Sequence, residues 1–430
     1  MSSEWRSFKL AEVGRIVTGK TPQGGNPEFF RGLLPFVTPG DFASQKWITE
    51  TTRTVSEAGA QSVKGSLIPP RSVLVTCIGS DMGKASIASG RCLTNQQINA
   101  VVVDEARFSP EFLFYNLALR KAEIRSIAGG SAQPILNKTA FGAIQVSFPS
   151  LGEQRRIADL LGPLDDRIAL LRETNATLEA IAKALFKSWF VDFDPVRAKQ
   201  QGLAPVGMDE ATATLFPNSF EESALGLVPK EWRQGTVSDF AQMHRGSVNP
   251  GGSGDTLFEH YSLPAFDAGQ MPVRELGDEI KSNKTLVPRD SVLLSKLNPH
   301  IPRVWLPVDA GPHAVCSTEF LVIVPAVGAS REFAYCSFVA APFQERLRQL
   351  VTGTSNSHQR VKPDGVLTLS TVMPPSPALD AFTLVVRPMF ERVGLNRLQA
   401  QTLATLRDTL LPRLISGQLR LPEAEVSASI

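Results

Sequence analysis

Two stretches of this chain repeat the same apolar spacing at one constant offset, and that repetition limits the folds open to it. In the first stretch, Ile157, Leu161, Leu164, Ile168, Leu171, Asn175, Leu178, Ala182, Leu185 and Trp189 alternate steps of four and three. In the second, Phe382, Val386, Met389, Val393, Asn396, Ala400, Leu403, Arg407, Leu410 and Leu414 do the same. The offset is 225 at every position. Sustained 4-3 apolar spacing is the seam of a coiled coil, in which every seam side chain faces a partner helix. Two ordinary amphipathic helices, each packed on its own domain, give the same pattern. Polar seam residues, Asn175 and Asn396 among them, are candidates to fix register and partner.

The duplication extends upstream. Glu4-Trp5-Arg6 recurs as Glu231-Trp232-Arg233, and the segment LIPPRSVLV from Leu67 recurs as LVPRDSVLL from Leu286. The offsets are 227 and 219, and the order is kept. The run Gly130-Ser131-Ala132-Gln133 has a looser echo in GTSNSHQ from Gly353. A repeat of this length marks a duplicated structural unit.

Local signals place the elements. Gly162-Pro163 followed by Asp165-Asp166 suits a helix start, because proline fits the first turn and carboxylates favour the positive end of the helix dipole. The sequence therefore predicts a long helix from Pro163 to Phe190, with a short helix from Gly152 before it. Gly417 reads as the stop of the second helix. Ahead of each helix, β-rich runs (Ser72–Ile78, Ala100–Val103, Ser291–Leu294, Phe320–Val324) alternate with Gly, Pro and helical stretches at Pro110–Ile127 and Arg331–Leu350. The expected fold class is α+β, with two pseudo-symmetric α/β domains and two long helices forming an antiparallel coiled coil. The stretch from Asp194 to Pro229 carries four prolines and little periodicity, and reads as a linker.

Composition sets bounds on function. Hydrophobic residues make up 43% of the 430, enough for several cores. No apolar run is long enough to span a membrane, and MSSEWRSFKL has no signal-peptide core, so a cytoplasmic location is expected. The formal net charge of +2 is too small to announce nucleic-acid binding. Cys77, Cys92, Cys316 and Cys336 form no CxxC pair and share no metal-ligand spacing with the five histidines. They read as buried free thiols.

Two motifs mimic catalytic chemistry. Gly14–Thr21 matches the phosphate-loop pattern GxxxxGK[ST], which requires a helix after it. Pro22, Gly24, Gly25 and Pro27 forbid that helix. The matching stretch of the second half, His244–Pro250, lacks the lysine. Asp192, Asp194 and Lys199 lie close together, but at a helix end, where they read as surface charge. No GxGxxG, HExxH, GxSxG or Asn/Asp-Pro-Pro-Tyr/Phe run is present. No catalytic residue and no metal site are expected.

The central region carries a family resemblance. It covers Leu164-Asp165-Asp166-Arg167-Ile168, the run Asn175–Ala182, and Phe186-Lys187-Ser188-Trp189-Phe190-Val191-Asp192-Phe193-Asp194-Pro195-Val196. Gly207-Met208-Asp209, Leu215–Phe220 and Gly226–Trp232 continue it, with the openings Gly19-Lys20-Thr21-Pro22 and Arg245-Gly246-Ser247. Together these resemble the specificity subunits of type I restriction-modification systems across essentially the whole chain.

The resemblance implies target-recognition domains at 1–151 and 230–376, helical regions at 152–193 and 377–420, and a linker at 194–229. Each domain would read one half of a bipartite double-stranded DNA site. The two helices would pair antiparallel and hold the domains apart. Partners would be two methyltransferase subunits and restriction (translocase) subunits, without a membrane. This chain would bind no cofactor; S-adenosylmethionine, ATP and Mg would sit on the partners. A 28-residue helix is about 42 Å long, against ~34–36 Å for one turn of DNA, which suits half-sites about a turn apart. A helical scaffold without DNA contact is the rival expectation.

Base edges are read by amides, arginines and lysines. In the first half the candidates are Lys20, Lys84, Asn95, Gln96, Gln97, Gln133, Asn137 and Lys138. In the second they are Arg245, Asn249, Lys296, Asn298, Arg303, His358, Gln359, Arg360 and Lys362. The segments Gly129–Lys138 and Gly353–Lys362 are the strongest regions, being polar and matched in the repeat. The seam candidates of the helix pair are Leu164, Ile168, Leu171, Leu178, Leu185, Met389, Val393, Leu403 and Leu410.

Overall fold

The structure, a computed structural model, describes residues 5–42, 45–79, 81–128, 135–352 and 359–421. The chain divides into two compact units, Met1–Leu171 with Gln399–Ile430, and Arg172–Leu398. The division cuts both long helices, so each unit owns one α/β domain and one half of each helix.

In the first unit, Arg6–Lys9 pairs antiparallel with Gln145–Phe148, which ties the start of the domain to its end just before the long helix. Between them lies a five-stranded sheet of Gly14–Thr18, Ile98–Val103, Val73–Thr76, Ala85–Ala88 and Trp47–Ile48, in that order. Its central strands read VLVT and INAVVV, and their buried β-branched side chains explain why they are strands. A smaller sheet places Leu34–Val37 between Arg53–Val55, antiparallel, and Leu93–Thr94, parallel.

The second unit repeats this plan. Arg233–Thr236 pairs with Ser370–Met373. The main sheet orders Ala241–His244, Phe320–Pro325, Val292–Ser295 and Val304–Trp305. In the second sheet, which here has five strands, Leu257–Tyr261 runs antiparallel to Val273–Leu276 and parallel to Ala314–Cys316. The duplication seen in the sequence is thus a duplication of sheet topology.

The long helices run Leu151–Phe190 and Ser376–Ile415, 40 residues each. Helix did not begin at Pro163, contrary to the sequence reading; it runs through the proline without a second start. Proline inside a helix removes one N–H and costs about 3 kcal/mol. Here the residues on either side are held by cores of the first unit: Ile157 and Leu161 before the proline pack with Leu410 and Leu414, and Ile168 after it with Ala400. The 28-residue length, and the 42 Å taken from it, therefore do not stand. Pro388 sits inside the second helix at the same offset of 225 from Pro163.

Every seam position is buried or half-buried. In the first unit Ile168 and Leu171 meet Ala400, Leu403 and Ala404. In the second unit Asn175 meets Asn396, and further along Trp189 meets Phe382. Partner numbers fall as helix numbers rise, so the pairing is antiparallel in both units. Asn396 donates to the Asn175 side-chain oxygen at 2.8 Å, and Asn175 donates to the Val393 carbonyl at 3.3 Å.

Both helix ends use left-handed residues. Phe193 (φ 56°) turns the chain out of the first helix, a conformation that costs a non-glycine residue of order 1 kcal/mol. Its ring offsets this by stacking edge-on against Trp232 at 5.7 Å. Gly417 (φ 75°) does the same after the second helix, as the sequence suggested.

Two other readings need amendment. The stretch 194–229 holds helices at Asp194–Gln200 and Glu210–Thr214 and a hairpin of Phe220–Ser223 with Gly226–Pro229. Val196, Phe216 and Val228 are buried there, Val196 and Phe216 in the main core of the second unit, so its prolines punctuate short elements. The helical stretches 110–127 and 331–350 each break in two, at Arg120 and Ala340. All four cysteines are buried free thiols. No helix among the described residues is long and apolar enough to cross a membrane.

Candidate nucleic-acid interface

The phosphate-loop match resolves into sheet. Gly14–Thr18 is a strand, and a Cβ at Gly14 would lie 2.2 Å from the Val102 carbonyl oxygen of its neighbour. A Cβ at Gly19 would lie 2.0 Å from the Asn95 oxygen. The glycines permit close backbone approach, and no helix follows to present amides to a phosphate. Asp192 is bound by Lys187, and the Lys199 ammonium donates to the Ala213 carbonyl at 3.0 Å, so these residues cap a helix end.

The candidate base-reading residues gather at the end of one strand in each domain. In the first unit Val73–Thr76 runs out into Cys77-Ile78. Thr76 N–H donates to the Lys84 carbonyl at 3.0 Å, Cys77 N–H to the Gln97 carbonyl at 2.7 Å, and Leu136 N–H to the Cys77 carbonyl at 2.9 Å. Ile78 bridges to Ile135. These bonds bring Lys84, Gln97, Asn137 and Lys138 to one place. Asn95 holds the turn there, accepting from Gln97 N–H at 3.1 Å and donating to the Gln97 side-chain oxygen at 2.9 Å. Thr21 donates to the Gln96 side-chain oxygen at 2.9 Å, so Lys20, which is exposed, lies on the adjoining loop.

The second unit builds the same frame. Ser295 N–H donates to the Arg303 carbonyl at 2.9 Å, Lys296 N–H to the Glu319 carbonyl at 3.0 Å, and Val361 N–H to the Lys296 carbonyl at 3.0 Å. Leu297 bridges to Arg360, and Asn298 N–H donates to the Gln359 carbonyl at 2.8 Å. Lys296, Asn298, Arg303, Gln359 and Arg360 are thereby assembled. Lys362 follows Val361 at the edge of this frame, and Arg245 pairs with Asp364 at 2.7 Å, two residues further along the chain. Asn249 is exposed at the turn Pro250–Ser253. Gln133 and His358 lie outside the described residues.

Some candidates already have structural duties. Asn137 caps the short helix Lys138–Gly142 by accepting from Ala140 N–H at 2.9 Å. Lys84 pairs with Asp81 at 2.9 Å. Arg303 forms a two-pronged pair with Asp267 at 2.8 Å, and Arg360 another with Glu319 at 2.9 and 3.1 Å. These carboxylates hold both guanidinium groups more firmly in the charged form, hydrogen bonding being the largest cause. The sequence reading missed Glu319, Asp267 and Ile135, because it sought amides and cations. A signal was present: Asn95-Gln96-Gln97-Ile98 and Ser317-Thr318-Glu319-Phe320 both place a turn residue two before the slot and a strand after it.

A tyrosine joins each domain to its own helix pair. Tyr115 donates to Asp165 at 2.6 Å, and Arg407 donates to the other Asp165 oxygen at 2.6 Å. In the second unit Tyr335 lies 3.5 Å from Glu179, which accepts from Arg397 at 2.7 Å. Burial, then the neighbouring carboxylate, pushes both phenols well above their usual range.

These features define an internally duplicated α+β protein with a matched polar frame in each repeat. Residues 2–180 match the family model described as type I restriction modification DNA specificity domain. The type I restriction enzyme MjaIX specificity subunit of Methanocaldococcus jannaschii is 24% identical, over 98% of this chain and 94% of that protein. The HindI specificity subunit of Haemophilus influenzae is 24% identical, over 97% of this chain and 100% of that protein. The crystal structure of the S subunit from M. genitalium has the same fold, with a TM-score of 0.62 at 12% identity and 96% of each chain covered. Along nearly its whole length the chain is thus similar to specificity subunits of type I restriction-modification systems.

Proposed function

We propose that this chain reads a bipartite site on double-stranded DNA, with one half-site per domain. The domains taken as readers are residues 1–151 and 230–376. The observation that carries the proposal is the repeated frame: the same backbone bonds in both units present different side chains at the same place. A constant frame with changed contents suits a reader of two different half-sites. The reading groups are those gathered at the two strand ends, with Lys20, Arg245, Asn249 and Lys362 as flanking contacts. Two methyltransferase subunits carrying S-adenosylmethionine would dock on this chain. Restriction subunits using ATP and Mg would join them in the cytoplasm.

The test is an exchange of residues 1–150 for the matching domain of a relative, in the assembled methyltransferase. Mapping of methylated bases should show one half of the recognised site altered and the other retained. Both halves altered would count against independent reading. Failure of the unexchanged complex to prefer any sequence over random duplex would favour a scaffold without DNA contact.

A further inference from the structure

The two matched frames differ sharply in chemistry, and the difference bears on which bases each domain selects. Superposing the hydrogen-bond pattern pairs Cys77 with Lys296, Lys84 with Arg303, Gln97 with Glu319, and Ile135 with Arg360. A further backbone bond supports the pairing: Ile98 N–H donates to the Asn95 carbonyl, and Phe320 N–H to the Ser317 carbonyl. Residues at equivalent places in a shared frame face equivalent places in what the frame binds.

In the first domain the equivalent positions at the centre of the frame are uncharged. Gln97 is half-exposed and carries an amide, with its oxygen oriented by Asn95. Ile135 is 56% exposed, an unusual state for an isoleucine beside a polar cluster. In the second domain the same positions hold Glu319 and Arg360, joined in a two-pronged pair, with Lys296 beside them. The Arg360 side chain is 51% exposed and that of Glu319 23%. Both pairs are accessible without being loose.

Base edges sort these groups. An amide pairs with adenine N6 and N7, and an apolar side chain meets the thymine methyl; arginine or lysine pairs with guanine O6 and N7, and glutamate accepts from cytosine N4. We propose that this frame is the discriminating slot of each domain, selecting an A·T pair through Gln97 and Ile135 in the first half-site and a G·C pair through Arg360 and Glu319 in the second. The proposal rests on the reading of the domains as half-site readers. Glu319 is a positioning residue as well, since its two bonds fix the plane of the Arg360 guanidinium before DNA arrives.

The experiment uses the full chain assembled with its methyltransferase partner. Methylated sites are mapped for the wild-type complex and for Gln97→Ala, Glu319→Gln and Arg360→Lys. Competition with duplexes substituted at single base pairs gives the discrimination at each position. Gln97→Ala should relax one A·T position in one half-site. Arg360→Lys should relax one G·C position in the other half-site by about 5- to 150-fold, because a lysine keeps the charge but loses the planar fork. Glu319→Gln should weaken the same G·C position.

Retention of that discrimination by Arg360→Lys would overturn the slot. So would relaxation at an A·T pair, relaxation of both variants in one half-site, or a uniform loss of affinity for all sequences, which marks a phosphate contact. A wild-type complex that reads no bipartite site would instead refute the half-site reading itself, before any variant is compared.

Discussion

Replacing Asn396 by leucine removes the donor to Asn175 at the point where the helices of the second unit meet. Asn396 is 1% exposed and Asn175 8%, so neither amide can turn to bulk water when its partner is lost. The 2.8 Å bond is gone, and the Asn175 side-chain oxygen loses the partner the structure gives it. A buried polar atom left so costs about 1–3 kcal/mol. Asn175→Leu strands the Asn396 donor and also removes the 3.3 Å bond to the Val393 carbonyl, for about the same cost. The double variant leaves no orphan and buries two apolar side chains in an apolar seam. It should lie near the wild type in stability or above it. The singles and the double together should therefore show a coupling of about 1–3 kcal/mol. Urea titration followed by tryptophan fluorescence reads this, since Trp189 lies on the same helix and is buried in the same unit. Singles that each cost under about 0.5 kcal/mol, with a double equal to their sum, would refute the argument. The double variant has a second expected property: without the amide pair the seam loses its register marker, so hydrogen exchange along residues 172–190 should quicken even if the midpoint does not fall.

Two other outcomes follow from the described geometry. Lys20→Ala should leave any ATP affinity of the assembled enzyme unchanged, because Gly14–Thr18 is a strand, and should lower the salt dependence of DNA binding by about one phosphate contact; loss of nucleotide binding would revive a phosphate loop. Burial pushes Cys77 up to about 11 and Cys92 and Cys316 up to about 12, so a thiol reagent at pH 8 should label the native chain slowly and all four cysteines after denaturation. A thiol raised in the folded state adds stability while both states are protonated, and that contribution fades as pH climbs past the unfolded value near ~8.5; fast labelling of native Cys77 at pH 8 would contradict its burial.

The helix pair was legible because its signal is periodic and long. Ten seam positions per helix, including Asn175 and Asn396, were found from spacing alone, and each is buried or half-buried. Pro163 misled because a local rule about helix starts was applied where packing decides: Leu161 on one side and Ile168 on the other are both buried. The stretch 194–229 misled for the opposite reason. Its elements are four to seven residues long, too short for periodicity, and only the burial of Val196, Phe216 and Val228 reveals them. Polar residues of the candidate interface were found by type, yet their grouping was not. Most of the bonds that assemble them join positions 20 to 65 apart, and no spacing rule reports such contacts.

The tyrosine joints have a consequence for exchanging domains between relatives. An exchange of residues 1–150 leaves Asp165 and Arg407 with the recipient and replaces Tyr115 by the donor's residue at that place. A donor with phenylalanine at that place would plug in with its fold intact and still leave one Asp165 oxygen without its phenol in a nearly closed socket. Compatibility of a transplanted domain is thus decided partly by a single hydroxyl, outside the residues proposed to read DNA. The second unit sets a looser condition, because its phenol stands 3.5 Å from Glu179 and the Arg397 bond carries more of the attachment. Natural shuffling of such domains should therefore be more permissive at the second position than at the first.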